Sequence, residues 1–265
     1  MKFNPQYCCG HVLTLCAALL VGCSGATNPS FPTDLDMARK DLKRMESARR
    51  PLDRPLVIVG GVMDPGIAPS WLKTEFSSVI SDDRIIWIQI GDCMSLDACR
   101  EKIVTSVDKA FPTDSKTGTR TVDVVGYSLG GLAARYAAGP SGPGKRLTIA
   151  RLFTISSPLR GAKLAEDLPV VLHPIQSAVK PGSSEMVSLN AKAPDYPIYP
   201  YVCLGDDVIG ESNAAPPGHT PWWVSPAPLV APHNGAYYDA RFLADIARRL
   251  RNEPALSSEP PAMLP

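Results

Sequence analysis

The chain has 265 residues, of which 45% are apolar and 20% charged, and its 27 basic residues nearly balance 26 acidic ones. This is the composition of a globular protein, and its near-zero net charge gives no electrostatic case for binding nucleic acid. A chain of this length can bury one large core, so a single folded domain is expected. Proline occurs 27 times, which indicates long irregular connections, chiefly in residues 169–232 and 253–265.

The start of the chain is predicted to be a targeting segment rather than part of the fold. Residues 12–21 form an apolar stretch that is too short to cross a bilayer as a helix. It runs into LVGC at residues 20–23, which resembles the lipobox of bacterial lipoprotein signal peptides. The resemblance implies cleavage before Cys23 and acylation of that cysteine, which gives a lasting membrane anchor. Ser24 after it implies sorting to the outer membrane of a bacterial envelope, facing the periplasm or the exterior.

The alternative to lipidation is an ordinary secretory signal cleaved near Ala26. With either signal the protein is exported, so the remaining cysteines are expected to lie in an oxidising compartment. The spacing of Cys93 and Cys99 allows a short loop leading into a helix, so a disulfide between them is possible in an oxidising compartment. Cys203 lies in an apolar strand pattern and is predicted to be an inert buried thiol. No group of cysteines and histidines has the spacing of a metal site.

The rest of the chain alternates short apolar runs with helical patterns. A charged helix is predicted at residues 33–50, where Thr33 and Asp36 have a capping-box spacing. The predicted strands are residues 56–60, 85–90, 122–126, 152–155, 201–204 and, more weakly, 222–224. The predicted helices that follow them are residues 70–80, 96–111, 129–138 and 237–250. Alternation of continuous apolar strands with helices predicts an α/β fold whose parallel sheet is covered on both faces.

The motif most informative about chemistry is GYSLG at residues 126–130. A predicted strand runs directly into it and a predicted helix follows, which is the context that a G-x-S-x-G nucleophile requires. Gly126 and Gly130 lack side chains where strand and helix come close, so Ser128 can stand out on a sharp turn. The helix N-terminus favours developing negative charge, and the N–H of Leu129 can face an oxyanion. Ser128 is therefore the predicted nucleophile.

With this motif the chain resembles the α/β-hydrolase superfamily, and in particular small bacterial lipases and esterases, from Pro55 to about Arg251. The run LVIVGGV at residues 56–62 is similar to the family's first strand and oxyanion loop, although Gly60 stands where the family usually has histidine. Val62 matches the residue whose N–H completes the oxyanion hole. The substitution leaves Gly61 and Met63 as alternatives for that donor.

The same resemblance implies how the sheet and the chain are organised. TISSPLRGAKLA at residues 154–165 and AVKPGSSEMVSL at residues 178–189 are similar to further lipase segments. We expect a minimal α/β-hydrolase sheet of about six mostly parallel strands, with helices on both faces. A cap or lid is expected after the fourth strand, where residues 169–200 form either a mobile lid over a lipid-binding cleft or a packed cap. The expected segments are a signal peptide at 1–22, a lipid-anchored linker with a charged helix at 23–54, an α/β-hydrolase domain at 55–252 and a disordered tail at 253–265.

A serine nucleophile of this kind needs an orienting acid and a base, in the chain order serine, acid, histidine. Asp206 follows the predicted strand 201–204 and fits the family's pattern of an acid followed by any residue and two apolar ones. Asp207, directly after it, is the competitor for the same role. Both are strand-end carboxylates, and Asp206 is the predicted acid.

The base is predicted to be His233. Chain order excludes His173, which precedes the acid. The site of a parallel sheet lies at the carboxyl ends of the strands. His219 precedes the predicted strand 222–224 and so lies at its far end, whereas His233 follows that strand and leads into the predicted helix 237–250.

The function implied by these residues is hydrolysis of carboxylic, lipid-like esters through an acyl-enzyme, a reaction that needs no metal or cofactor. The expected partners are an ester or lipid substrate and, through the anchor, a membrane. A nearer alternative is a thioesterase or acyltransferase with the same triad. A more distant one is a non-catalytic envelope lipoprotein that uses the fold for binding.

Overall fold

Six parallel strands form a single sheet in the structure, a computed structural model that describes residues 26–140, 144–168 and 170–265. The predicted signal segment and Cys23, the predicted lipidation site, lie outside the described residues. The strands are β1 (Leu56–Val59), β2 (Ile85–Ile88), β3 (Val122–Tyr127), β4 (Ile149–Ile155), β5 (Ile198–Cys203) and β6 (Trp222–Val224). Their spatial order is β2-β1-β3-β4-β5-β6. This arrangement confirms the predicted α/β-hydrolase fold.

Helices cover both faces of the sheet, as the alternation of elements predicts. They are α1 (Leu35–Ser47), α2 (Ile67–Val79), α3 (Leu96–Ala110), α4 (Leu129–Ala138), α5 (Lys163–Asp167), α6 (Ser184–Asn190), α7 (Pro232–Gly235) and α8 (Ala240–Leu250). Leu56 and Ile58 face a core shared with α1, α2 and α8, whereas Val57 and Val59 face a core shared with α3 and α4. Because successive side chains of a strand point to opposite faces, one run of apolar residues supplies both cores.

The strand order places a crevice between the ends of β1 and β3. From β1 the chain first adds β2 on one side and then β3 on the other, so the connections that leave β1 and β3 diverge to opposite faces. Such a switch point is where open α/β sheets bind their ligands, beyond the carboxyl ends of the strands. Val59 at the end of β1 pairs with Gly126 at the start of the GYSLG motif.

The segment predicted to be a linker is instead part of the domain. Ala38 and Met45 on α1 are fully buried, and the ring of Phe31 stacks on Phe242 at a centroid distance of 6.2 Å. The helix also begins later than predicted, because Asp34 accepts a hydrogen bond from the N–H of Met37 and caps it. A few apolar side chains on one stripe of a charged helix are sufficient to dock it.

The prediction of a disordered tail is also wrong. The indole N–H of Trp222 donates to the carbonyl of Ser258, and that of Trp223 donates to the carbonyls of Ala262 and Met263. A buried tryptophan needs an acceptor for its N–H. The proline-rich tail lacks helix and strand bonds, so its carbonyls are available for this purpose. Both tryptophans therefore hold the tail against the domain through these hydrogen bonds.

The excursion after β4 is present, and residues 170–179 within it have little regular structure. That stretch contains only one 3-10 turn, Pro174–Gln176, because the residue before a proline avoids the α conformation. Ile175 and Val179 are buried in the core on the α4 face, so this part is a packed cap. Val170, Val171 and Leu172 are exposed.

The cysteines differ from the predicted disulfide. Cys93 and Cys99 are buried free thiols in the structure. Burial raises the pKa of both thiols above the usual range. Cys203 is free and buried as well, in the strand where the sequence predicts it.

Candidate active site

The turn between β3 and α4 holds Ser128 in a strained conformation. Its φ is 53° and its ψ is −129°, a backbone geometry that non-glycine residues rarely adopt. A Cβ on Gly126 would lie 2.3 Å from the Cα of Gly131, and a Cβ on Gly130 would lie 2.2 Å from the carbonyl oxygen of Val59. Only glycines allow strand and helix to approach this closely. The strain is thus locked in by packing, and it directs Ser128 into the crevice.

The structure brings Ser128, His233 and Asp206 together, although they lie far apart in the chain. The Nε2 of His233 is 3.0 Å from the Oγ of Ser128, and its Nδ1 is 3.1 and 3.0 Å from the two carboxylate oxygens of Asp206. With the proton on Nδ1, the ring donates to Asp206 and accepts from the hydroxyl of Ser128. The side chain of His233 is 12% exposed and that of Asp206 is fully buried. This geometry prepares Ser128 to lose its proton.

Asp206 and Asp207 have opposite environments. The Oδ1 of Asp206 accepts hydrogen bonds of 3.2 Å from the N–H groups of Val208 and Ile209, which fix the carboxylate within its own turn. The side chain of Asp207 is 87% exposed and pairs with Lys163 at the surface. Of the two, only Asp206 contacts the histidine.

The two other described histidines lie elsewhere. His219 is exposed, and its Nδ1 is 3.1 Å from the carbonyl oxygen of Pro217, two residues away. His173 caps the 3-10 turn in the excursion, where its ring accepts from the N–H of Ile175. His233 itself lies in α7, a short helical turn that begins at Pro232, rather than in the loop ahead of a helix that the sequence predicts.

The loop after β1 lies directly against the nucleophile. A Cβ on Gly61 would lie 3.1 Å from the Cβ of Ser128 and 3.5 Å from its Oγ. Val62 follows, half-buried, and Met63 is exposed with a φ of 58°. On the other side, Leu129 is the first residue of α4, so its N–H has no partner within the helix. Main-chain N–H groups from both loops are thus available near Ser128.

Sequence reasoning missed two residues that hold the site together. The hydroxyl of Tyr127, the variable residue of the motif, donates to the carbonyl of His233 at 3.3 Å, and burial raises the pKa of this phenol. The carboxylate of Asp64 accepts from the N–H groups of Gly66 and Ile67 and so fixes the loop after β1. The DPG sequence at residues 64–66 is a turn signal that indicates the second role. No local pattern indicates the first.

The described part of the chain contains no group of three or more histidine, cysteine, aspartate or glutamate residues placed to hold a metal ion. No helix within it has the length and apolar character needed to span a bilayer.

Comparisons with known proteins identify no family for the chain and a distant structural likeness. No protein-family model matches the chain, and no curated protein matches it either. Among solved structures, it is similar to phospholipase PlaB from Legionella pneumophila, with a TM-score of 0.42 and 14% sequence identity. The match covers 60% of this chain and 42% of that protein, so the chain spans less than half the length of this neighbour.

Proposed function

We propose that the protein is a serine ester hydrolase of the lipase and carboxylesterase type, acting on lipid-like carboxylic esters. The observation that carries the proposal is the hydrogen-bonded chain from Ser128 through His233 to Asp206, which begins on a strained elbow at the carboxyl edge of the sheet. A binding module has no need of a serine held in a costly backbone conformation and aligned with a base and a buried acid.

The reaction follows from the roles of these groups. The Oγ of Ser128 attacks the ester carbonyl while the Nε2 of His233 removes its proton. Asp206 holds the Nδ1–H tautomer and stabilises the imidazolium as it forms. The N–H groups of Leu129 and Val62 bind the oxyanion, each worth on the order of a hundredfold in rate. His233 then protonates the leaving alcohol, and water repeats the cycle on the acyl-enzyme.

The test is covalent labelling combined with turnover of p-nitrophenyl esters by the detergent-solubilised full chain. A fluorophosphonate probe should label Ser128. Ser128→Ala and His233→Ala should each lower kcat by roughly 10⁴ to 10⁶, since the residues act as one unit. His219→Ala is the matched control and should retain activity. If the probe fails to label Ser128 and neither ester nor thioester turns over, the binding-module alternative replaces this proposal, and turnover of thioesters alone would favour the thioesterase.

We further propose that Cys23 carries a lipid anchor in a bacterial envelope, on the strength of the LVGC run at residues 20–23. Acyl chains on this cysteine would keep the enzyme on a membrane surface, where lipid esters are concentrated. Metabolic labelling with palmitate should mark the wild-type protein and leave Cys23→Ser unmarked. Equal labelling of the two would exclude the lipobox assignment and leave an ordinary secretory signal.

A further inference from the structure

Exposed apolar side chains are concentrated at the edge of the sheet that carries the catalytic residues. Fourteen large apolar side chains are exposed among the described residues, and ten of them lie beyond the carboxyl ends of strands. The ten are Met63 and Ile67 after β1, Met94 after β2, Leu164, Val170, Val171 and Leu172 after β4, and Leu229, Val230 and Tyr238 after β6. The other four lie on α1, β2, α6 and the tail. Clustering of this kind marks an interaction surface, whereas single exposed apolar residues do not.

Leu229 is the most exposed member of this apolar rim. It is fully exposed and has a φ of 64°, in the left-handed region that bulky residues rarely occupy. The turn that presents it is closed by a hydrogen bond from the N–H of Val230 to the carbonyl of Ala227. His233 follows four residues later. The loop that supplies the base therefore also projects an apolar side chain into solvent.

The chain enters the domain at this same edge. The hydroxyl of Ser225, the residue after β6, donates to the carbonyl of Ala26 at 2.8 Å. The side-chain amide of Asn28, which is buried, donates to the carbonyl of Trp223 at 2.7 Å. These bonds fix the first described residues beside the loop that carries Leu229. Cys23 precedes Ala26 by three positions in the sequence, a reach of at most about 11 Å.

We propose that the catalytic edge lies flat against the membrane that holds the Cys23 anchor, with the apolar rim inserted among the lipids, so that the enzyme hydrolyses acyl esters of its own bilayer. The inference rests on the proposed function and on the proposed anchor. A reach of about 11 Å is short beside a domain whose expected radius of gyration is about 18 Å, so the anchored edge stays at the bilayer surface. Apolar side chains at that depth are stabilised by leaving water.

The orientation is tested by measuring depth in vesicles of phosphatidylethanolamine and phosphatidylglycerol that carry the lipidated full-length protein. A fluorophore is attached to Leu229→Cys and, as a control, to Thr117→Cys, an exposed position in the loop that leads into the amino end of β3, at the opposite edge of the sheet. Cys93, Cys99 and Cys203 are buried and their pKa values are raised, so the introduced thiol reacts first. Lipids with a nitroxide on the acyl chain should quench the label at 229 and spare the label at 117. Equal quenching, or none at 229, overturns the proposal.

A second measurement separates the surface from the chemistry. Aspartate tolerates the left-handed region, so Leu229→Asp should fold. It should lower the ratio of vesicle-lipid to water-soluble ester turnover roughly tenfold or more, the effect of losing one inserted leucine, whereas Thr117→Asp at the opposite edge should leave that ratio unchanged. An unchanged ratio for Leu229→Asp overturns the proposal. If the wild type turns over no soluble ester yet shows the expected depths, the proposed function fails and the orientation stands.

Action on the enzyme's own bilayer has its own test. Vesicles that carry the protein are mixed with vesicles that carry a fluorogenic ester lipid, and the rate is compared with that of vesicles carrying both. Turnover should require that protein and substrate share a vesicle, because the rim and the anchor engage the same bilayer. Equal rates in the two arrangements overturn this proposal. Shielding of the label at 229 in cells but not in pure lipid vesicles would assign the rim to a protein partner instead.

Discussion

Two buried aspartates, Asp206 and Asp245, show how differently this protein treats the same functional group. Both are almost fully buried, with 1% and 0% of their surface exposed. Asp245, on α8, accepts from the hydroxyl of Tyr201, the guanidinium of Arg249 and three groups of the tail, including the N–H and hydroxyl of Ser257. Asp206 accepts from the ring of His233 and from two N–H groups of its own turn.

The two aspartates differ in whether the positive charge that compensates them is permanent. Arg249 is always cationic, so the charge of Asp245 is compensated at all times and the carboxylate ties the tail to the core. Burial and the charge of Asp245 together hold the pKa of Tyr201 well above its usual range. Within the described chain, the only ion-pair partner of Asp206 is His233, which becomes charged when it takes a proton. The attraction between Asp206 and the protonated ring of His233 is therefore available to the proposed reaction.

The largest expected effect concerns activity, in Asp206→Asn. The amide would present an NH2 group to Nδ1 of His233 and so favour the wrong tautomer, while its oxygen still accepts from the N–H groups of Val208 and Ile209. We expect kcat on soluble esters to fall roughly 10⁴-fold. The free energy of unfolding in urea should change by less than about 1 kcal/mol. A kcat within tenfold of the wild type would mean that another group orients the base.

Asp245→Asn should show the reverse pattern. All the donors around this carboxylate remain, and an amide offers them one oxygen instead of two while removing the buried anion that lies nearest to Arg249. We expect the free energy of unfolding in urea to fall by about 3 kcal/mol or more. The folded fraction should retain its kcat, because Asp245 lies outside the proposed triad. A loss of kcat in folded protein would contradict the assignment of Asp245 to structure alone.

These two aspartates also show what the sequence could predict. Asp206 follows a recognisable strand, and the turn at Ser128 is encoded by five consecutive residues. Local sequence patterns therefore indicate both residues. Asp245 lies in an amphipathic helix, and no local pattern indicates that it accepts hydrogen bonds from Ser257, Leu256 and Tyr201. The contacts of the tail depend on side chains that only the folded chain brings together. For this reason a proline-rich tail was predicted to be disordered.

The docking of α1 was missed for a similar reason. Its sequence is mostly charged and has few apolar positions. Two of these, Ala38 and Met45, are buried because α1 packs against α8, and this contact is visible only in the folded chain. Asp41 on the same helix accepts from Arg248 of α8 and Arg44. Charged residues of α1 therefore take part in its interface with α8, and hydropathy alone does not indicate this interface.

Asp41 provides a third carboxylate, close to the surface, and a smaller effect that depends on pH. Burial opposes the shift, but hydrogen bonds from Arg248 and Arg44 hold the pKa of Asp41 below its ordinary value of 3.8. Because the folded pKa is the lower one, the stabilisation is complete above the ordinary value and is lost as the pH falls through the folded pKa. It should amount to less than roughly 1 kcal/mol, since the pair is near solvent.

Urea unfolding at neutral and acid pH measures this contribution. Asp41→Asn should be less stable than the wild type near neutral pH, and the two should converge in acid. Asp36→Asn is the matched control, because Asp36 pairs with Arg39 on the exposed side of the same helix. A constant difference between Asp41→Asn and the wild type at every pH would show that packing rather than charge accounts for it.

The smallest expected effect is that of Asp207→Asn, one residue from the proposed catalytic acid. Gly205, with a φ of 80°, turns the chain so that Asp206 points inward, and Asp207 meets Lys163 at the surface. An exposed ion pair contributes little to stability, so the free energy of unfolding should stay within about 0.5 kcal/mol of the wild type. The kcat should stay within about twofold of the wild type. A loss as large as that of Asp206→Asn would mean that the turn rearranges to exchange the two carboxylates. Retained activity would show that the direction of one turn, rather than the presence of a carboxylate at this strand end, determines which aspartate orients His233.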